Sequence, residues 1–158
     1  MPSFAHSPKL LLRFTHYPPR ILYALGLGPL IGRIVLLLTT TGRKSGLARV
    51  TPLQYEEVDG VFYIGSSRSM KSDWVRNIIA NPRVEIHVGT RQFHGIAEVV
   101  SNVPRIADFL ELRLRRHPNI VRAILRSQNL PIPPSRSHLE AYATKIALEV
   151  IHRESRPR

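Results

Sequence analysis

The chain has 158 residues, of which 43% are hydrophobic and 22% charged, the size and composition of one globular domain and not of a disordered chain. It holds no cysteine, which excludes a disulfide framework, a thiolate zinc site and a cysteine nucleophile, and fits a cytoplasmic setting. Its formal net charge is +12, and no Asp or Glu precedes Glu56, while Lys9, Arg13, Arg20, Arg33, Arg43, Lys44 and Arg49 all fall in that acid-free stretch. Such a field attracts nucleic acid, anionic lipid or a cofactor carrying several phosphates or carboxylates, although a solubilising surface gives the same balance.

Residues 1–33 read as a basic helical segment. Lys9 to His16 can form a short amphipathic turn, and Pro18–Pro19 suits the start of a helix from Arg20. This segment can lie on the domain, on a partner or on a membrane surface. Ile21 to Leu38 is the one membrane-span candidate, but Arg33 and the Gly-rich turn Gly26–Gly32 divide it. No small-residue cleavage site follows it, so a secretory signal is not expected.

From Ile34 the period becomes strand-like. IVLLLTTTG is followed by the turn RKSG and a second strand, ARVTPLQYEEV. Asp59–Gly60 marks a hairpin, with VFYIGSS as the third strand of a meander. Ser69 to Ala80 reads as a helix, capped by Ser72 or Ser69 and stopped at Asn81–Pro82. Val84, Ile86 and Val88 alternate with Glu85, His87 and Gly89, and QFHGIAEVV is the hairpin partner. Asn102–Val103–Pro104 opens a helix to Arg116 with Ile106, Phe109, Leu110 and Leu114 on one face. His117–Pro118 breaks it, Asn119 to Leu125 can start a second short helix, and the proline-rich stretch 128–137 reads as a loop. Lys145 to His152 is the final strand, with Ile146, Leu148 and Val150 on one side, and residues 153–158 read as a frayed tail. About six antiparallel strands with helices at the margins predict an α+β fold, able to close into a small barrel over residues 34–152 as one domain.

Two stretches can carry chemistry. In TTTGRKSGLARVTPL, Gly42 and Gly46 let backbone amides approach an anion, Arg43 and Arg49 can fork onto phosphate or carboxylate oxygens, and Lys44 adds a point charge. Ser45 adds a hydroxyl. The Walker spacing is absent, and a solvated polar hairpin is the alternative. In GSSRSMKSDWVRN, Ser66 and Ser67 lie where strand gives way to helix, so free amides and hydroxyls gather there. Trp74 is the only tryptophan, and packing is its ordinary use. If Val88 pairs with Phe93, His87 and His94 face each other beside Glu85; a polar solvent face is the preferred reading, with no metal expected. Asp59, Asp73 and Asp108 read as turn, cap and surface residues. The basic stretch Arg113 to Arg126 reads as a solvated helix face.

TTTGRKSG, the downstream Arg49 and Pro52, the DG hairpin, the serine strand end and the run Trp74–Asn77–Asn81–Pro82–Val84 together resemble the deazaflavin-dependent nitroreductase family. The likeness covers about residues 34–100. It implies a small antiparallel split β-barrel, related to flavin-reductase and pyridoxamine-phosphate-oxidase-like proteins. It implies coenzyme F-420, a deazaflavin with a phosphate and an oligoglutamate tail, as cofactor. Gly42, Arg43, Lys44, Ser45 and Arg49 would hold the phosphate and acidic tail. Gly65, Ser66 and Ser67 would line the ring, and Trp74, Arg76 and Asn77 would close the other side. The implied reaction is hydride transfer to a small-molecule acceptor such as a quinone, nitro compound or activated alkene. The family's tyrosine after the motif proline is Gln54 here, with Tyr55 on the opposite strand face. Tyr142 and Ser67 are then the candidate catalytic residues. Relatives often dimerise, so a homodimer is an expectation by analogy. Two other readings remain open: the same barrel binding FMN, and a non-enzymatic basic domain for a membrane surface or nucleic acid. No nucleic acid is expected, because the strand aromatics are not interleaved with basic residues.

Overall fold

The computed structural model describes residues 35–155. The N-terminal segment 1–33, with its expected helices, its turn and most of the membrane-span candidate, lies outside the described residues, as do residues 156–158. Among the described residues no helix is long and apolar enough to cross a membrane.

Among the described residues seven strands form one antiparallel sheet: β1 Val35–Thr41, β2 Ala48–Gln54, β3 Glu56–Val58, β4 Val61–Ser66, β5 Arg83–Val88, β6 Arg91–Val100 and β7 Ala147–Arg153. Their order across the sheet is β2-β1-β5-β6-β7-β4-β3. The count of about six strands holds, with the seventh arising because the predicted second strand breaks at Tyr55. Its first half pairs with β1, setting Val35 opposite Gln54 and Thr41 opposite Ala48. Its second half pairs with β4, setting Glu56 opposite Tyr63. The two halves of one stretch of chain thus stand at opposite ends of the sheet. A single residue can bridge those ends only if the sheet curls until they meet, so the break at Tyr55 shapes the half-barrel. The expected meander is corrected accordingly: each hairpin forms, but β2 and β4 are not ladder neighbours.

Local chemistry fixes the turns. Asp59 and Gly60 both have positive φ, 52° and 78°, the backbone a two-residue hairpin loop needs. At the β5–β6 hairpin Val88 pairs with Arg91, so His87 lies opposite Gln92 and His94 opposite Glu85. The two histidines therefore do not pair across the ladder as the assumed register required. Among the described residues no three His, Asp or Glu side chains gather as a metal site.

Four helices accompany the sheet among the described residues: α1 Asp73–Ala80, α2 Val103–Arg116, α3 Pro118–Ser127 and α4 Arg136–Ala143. A short 3-10 turn, Ser69–Lys71, precedes α1. The Asn102 side chain accepts from the Arg105 N–H at 3.0 Å, which caps α2. The start of α4 falls inside the predicted loop 128–137. The Ser135 hydroxyl accepts from the His138 N–H at 3.3 Å, and the Ser135 N–H donates to His138 Nδ1 at 3.1 Å. This is a reciprocal cap with histidine where Glu or Gln usually stands.

The sheet separates two apolar clusters. Leu36, Leu38, Phe62, Ile64, Ile86 and Ile151 fill the barrel with Ile78 from α1. Ile106, Phe109, Leu110, Leu125, Leu139 and Tyr142 pack from the helices onto Leu148 and Val150. Strand alternation in β7 serves both, so five consecutive residues, Ala147 to Ile151, are buried. β7 also extends one residue further than predicted, and the Glu154 N–H donates to the His94 carbonyl at 2.9 Å. The chain is therefore still anchored at residues expected to fray.

Candidate functional site

The β1–β2 turn is closed by its own backbone. The Gly42 N–H donates to the Leu47 carbonyl at 2.8 Å, and the Gly46 N–H to the Gly42 carbonyl at 2.7 Å. Gly46 has φ +69°, and a Cβ at Gly42 would sit 2.7 Å from Ser45 Oγ and 3.1 Å from the Leu47 oxygen. Both glycines are therefore required by the turn itself. Lys44, Ser45 and Arg49 stand exposed around it. Among the described residues neither the Lys44 nor the Arg49 side chain has an ion-pair or hydrogen-bond partner.

A cleft of about 680 Å³ lies between this turn, β2 and α1. Its walls include Gly42, Arg43, Lys44, Ser45, Arg49, Trp74 and Asn77. Seven of the eleven residues expected to bind cofactor thus share one cavity. Trp74 also packs against the barrel cluster. Arg43 is not a free fork in this arrangement. Its Nη2 donates to Asp73 Oδ1 at 3.0 Å, and its Nη1 and its backbone N–H each donate to Asn77 Oδ1 at 3.1 Å. The Asn77 side-chain N–H donates in turn to Thr40 Oγ1 at 3.2 Å in a buried bond. Asn77 therefore ties the turn to β1 and α1. The Arg43 guanidinium beside Asp73 holds its carboxyl below the usual carboxylate value. Asp73, read from sequence as a cap or surface residue, is a wall of the cleft.

A second cavity of about 220 Å³ lies further along β2, between the sheet and α2, α3 and α4. Leu53, Phe109, Leu110, Val121, Leu125 and Ile146 make it apolar, and Gln54, Ser67, Arg113 and Tyr142 are its polar groups. Gly65 also lines it, and a Cβ there would already touch the Phe109 ring at 3.4 Å. Tyr142 is buried, and burial pushes its phenol up, so it stays protonated at neutral pH. The two candidate catalytic residues, Tyr142 and Ser67, therefore meet in one pocket, at the opposite end of β2 from the basic turn.

Two expected site residues lie in neither cavity. Ser66 is buried, its hydroxyl 3.2 Å from Ser72 Oγ and 3.4 Å from the Ser69 carbonyl. Strand alternation turns it away from Gly65 and Ser67, and this contact also keeps Ser72 from capping α1 with its side chain. Arg76 Nε donates to the Met70 carbonyl at 2.7 Å, which draws its guanidinium over the 3-10 turn and off the cleft. Arg113 is the site residue that sequence reasoning missed. Its signal was weak, because it sits in a run of arginines that reads as a solvated face.

The family model for the F420H(2)-dependent quinone reductase matches residues 25–133. The F420H(2)-dependent quinone reductase Rv1261c of Mycobacterium tuberculosis is 36% identical over 80 residues, 49% of this chain and 52% of the relative. The chain spans about half the length of the curated relatives it matches. Among solved structures, an F420-H2 dependent reductase (FDR-A) superposes with TM-score 0.52 at 23% identity, over 76% of this chain and 95% of that one. A chain described as a domain-swapped dimer superposes with TM-score 0.54 at 23% identity, over 92% of this chain and all of that one. At such identities these two structures establish the split-barrel fold alone. The family match covers most of the chain, and the protein belongs to the F420H(2)-dependent quinone reductase family.

Proposed function

We propose that the protein is an oxidoreductase that binds coenzyme F-420 and delivers a hydride from its reduced form to a quinone-type acceptor. The observation that carries this reading is the pair of cavities joined by β2. Ala48 to Thr51 line the cleft with the unpaired cations, and Leu53 and Gln54 line the apolar pocket. At about 3.3 Å per residue, Arg49 to Gln54 spans about 16 Å. A cofactor with an acidic tail and a flat ring fits that division, with its charge over the turn and its ring toward Gly65 and Ser67. Membership of the quinone reductase family supports both the cofactor and the acceptor class.

When bound, the coenzyme supplies a hydride, two electrons with one proton, and the acceptor gains one further proton to become a hydroquinone. The chain supplies the surroundings. Lys44 and Arg49 balance the phosphate and tail, and the turn at Gly42 and Gly46 lets the backbone approach them. The Tyr142 phenol, kept protonated by burial, and the Ser67 hydroxyl are the donors facing the acceptor. The apolar walls from α2 and α3 exclude water from the transfer. A homodimer is supported by the domain-swapped dimer among similar structures. A cytoplasmic protein whose basic residues 1–33 touch a membrane would meet an acceptor dissolved in lipid; the +12 charge supports that contact.

The test is turnover of reduced coenzyme F-420 with menadione. The Lys44→Ala, Arg49→Ala double variant is expected to raise the KM for the coenzyme at least tenfold, about 1.4 kcal/mol, with an unchanged melting temperature. An unchanged KM in the folded variant would remove the tail assignment.

A further inference from the structure

Glu56 is buried on β3, only 4% exposed, and three basic groups from the end of α2 converge on it. His117 Nε2 lies 3.0 Å from Oε1, Arg116 Nη1 3.3 Å from Oε2, and Arg113 Nε 3.3 Å from Oε1. Of the three, only Arg116 has hydrogen-bond geometry to the carboxylate, and Oε1 accepts from none of them. Arg116 has a second acceptor, the Glu57 carbonyl at 3.1 Å. Arg113 has none: its Nε is buried without hydrogen-bond geometry to any acceptor. Its terminal nitrogens likewise have no hydrogen-bond partner among the described residues. Yet the side chain is only 15% exposed, and it lines the apolar pocket with Gln54, Ser67 and Tyr142.

A guanidinium with idle donors in an apolar cavity is costly unless something there accepts from it. We infer that Arg113 is the acceptor-orienting residue: it donates to the electron-rich oxygen of a compact, flat, otherwise apolar ligand held in this pocket. The inference rests on the proposed quinone-reducing reading and names the group that selects the acceptor. The pocket, at about 220 Å³, is smaller than the usual range of about 300–1,000 Å³ for drug-sized ligands. It therefore takes a small acceptor ring, with the larger coenzyme ring outside it at exposed Gly65 and Ser67. Arginine suits the task better than lysine, since its planar fork meets a carbonyl or nitro oxygen from a fixed direction and keeps its charge at any working pH. Oxygen at that point also receives the negative charge that reduction delivers, where a preorganised cation in a water-poor site acts most strongly. Glu56 is a positioning residue, holding the arginine stem at the pocket wall.

The experiment compares two probes on the full chain by calorimetry: menadione, and 2-methylnaphthalene, which has the same ring system without oxygens. Wild type is expected to bind menadione about tenfold more tightly than the hydrocarbon. Arg113→Met keeps the apolar stem and is expected to abolish that preference by weakening menadione alone, with Arg113→Lys restoring part of it. Equal loss of both probes would mean that Arg113 merely shapes the pocket, and an unchanged preference would remove the role outright; either overturns the inference. If the coenzyme fails to bind wild type, the redox reading falls, and the two-probe contrast still decides whether Arg113 selects an oxygen.

Discussion

Arg43 has two claims on it. Its guanidinium is held by Asp73 and Asn77, yet it stands in the cleft where an anionic tail would need it. The Asp73 carboxylate is 81% exposed, so its pairing is screened and easily exchanged. A phosphate arriving over the turn therefore competes with Asp73 for the same donors. Asp73→Asn is expected to tighten coenzyme binding by a few-fold at low ionic strength, read by equilibrium titration; weaker binding would show that Asp73 orders Arg43 for the ligand instead. The types of residue at this turn were legible in the sequence, because glycines and cations at fixed spacing have few other uses. Their partners were not. Asp73 and Asn77 lie about 30 positions away from Arg43, and nothing local marks an exposed aspartate as the counter-ion of an arginine. Ser66 and Ser67 were equally good candidates until the strand fixed which one faced the pocket.

Among the elements, β7 carries the most unusual residue. Alternation sends Glu149 into the barrel opposite Ile64 and Val99. It is fully buried, and neither carboxylate oxygen has a hydrogen-bond partner. Burial pushes its carboxyl from an ordinary 4.5 up to about 8. The folded chain thus keeps a proton that the unfolded chain gives up. That contribution is fully present below pH 4.5 and is lost as pH rises toward 8, roughly 3 kcal/mol by pH 7. Melting temperature is expected to fall between pH 5 and pH 8 in wild type and to fall much less in Glu149→Gln. Parallel curves would contradict a neutral Glu149 in the fold. The strand itself was readable from the period of Ile146, Leu148 and Val150. The other side of that period also held Glu149, and a lone acid in a strand reads as solvent-facing until a second layer is known to cover it. The break at Tyr55 leaves no local mark for a similar reason. Both halves of Ala48–Val58 have strand chemistry, and only the partners that each half finds, β1 and β4, show that they part. The start of α4 was hidden by its prolines and by a cap that uses histidine.

At the scale of the whole molecule, a curled sheet places a basic cleft and an apolar pocket along one strand. Their charge and shape suit the long anionic cofactor proposed above, with its ring toward the helices. The barrel was foreseeable because period-two runs and hairpin turns recur without crossover-length helices between most of them. The division into two cavities was not, since it depends on how α2, α3 and α4 fold back over the sheet. Trp74, the only tryptophan and a wall of the cleft, reports on the site directly. The most direct test is its fluorescence during titration with coenzyme F-420 and, separately, with FMN, each at low and high salt. Micromolar binding of coenzyme F-420 is expected, with much weaker binding of FMN and an affinity for the coenzyme that falls as salt screens Lys44 and Arg49. Tighter binding of FMN, or no binding of either, would contradict the proposed cofactor.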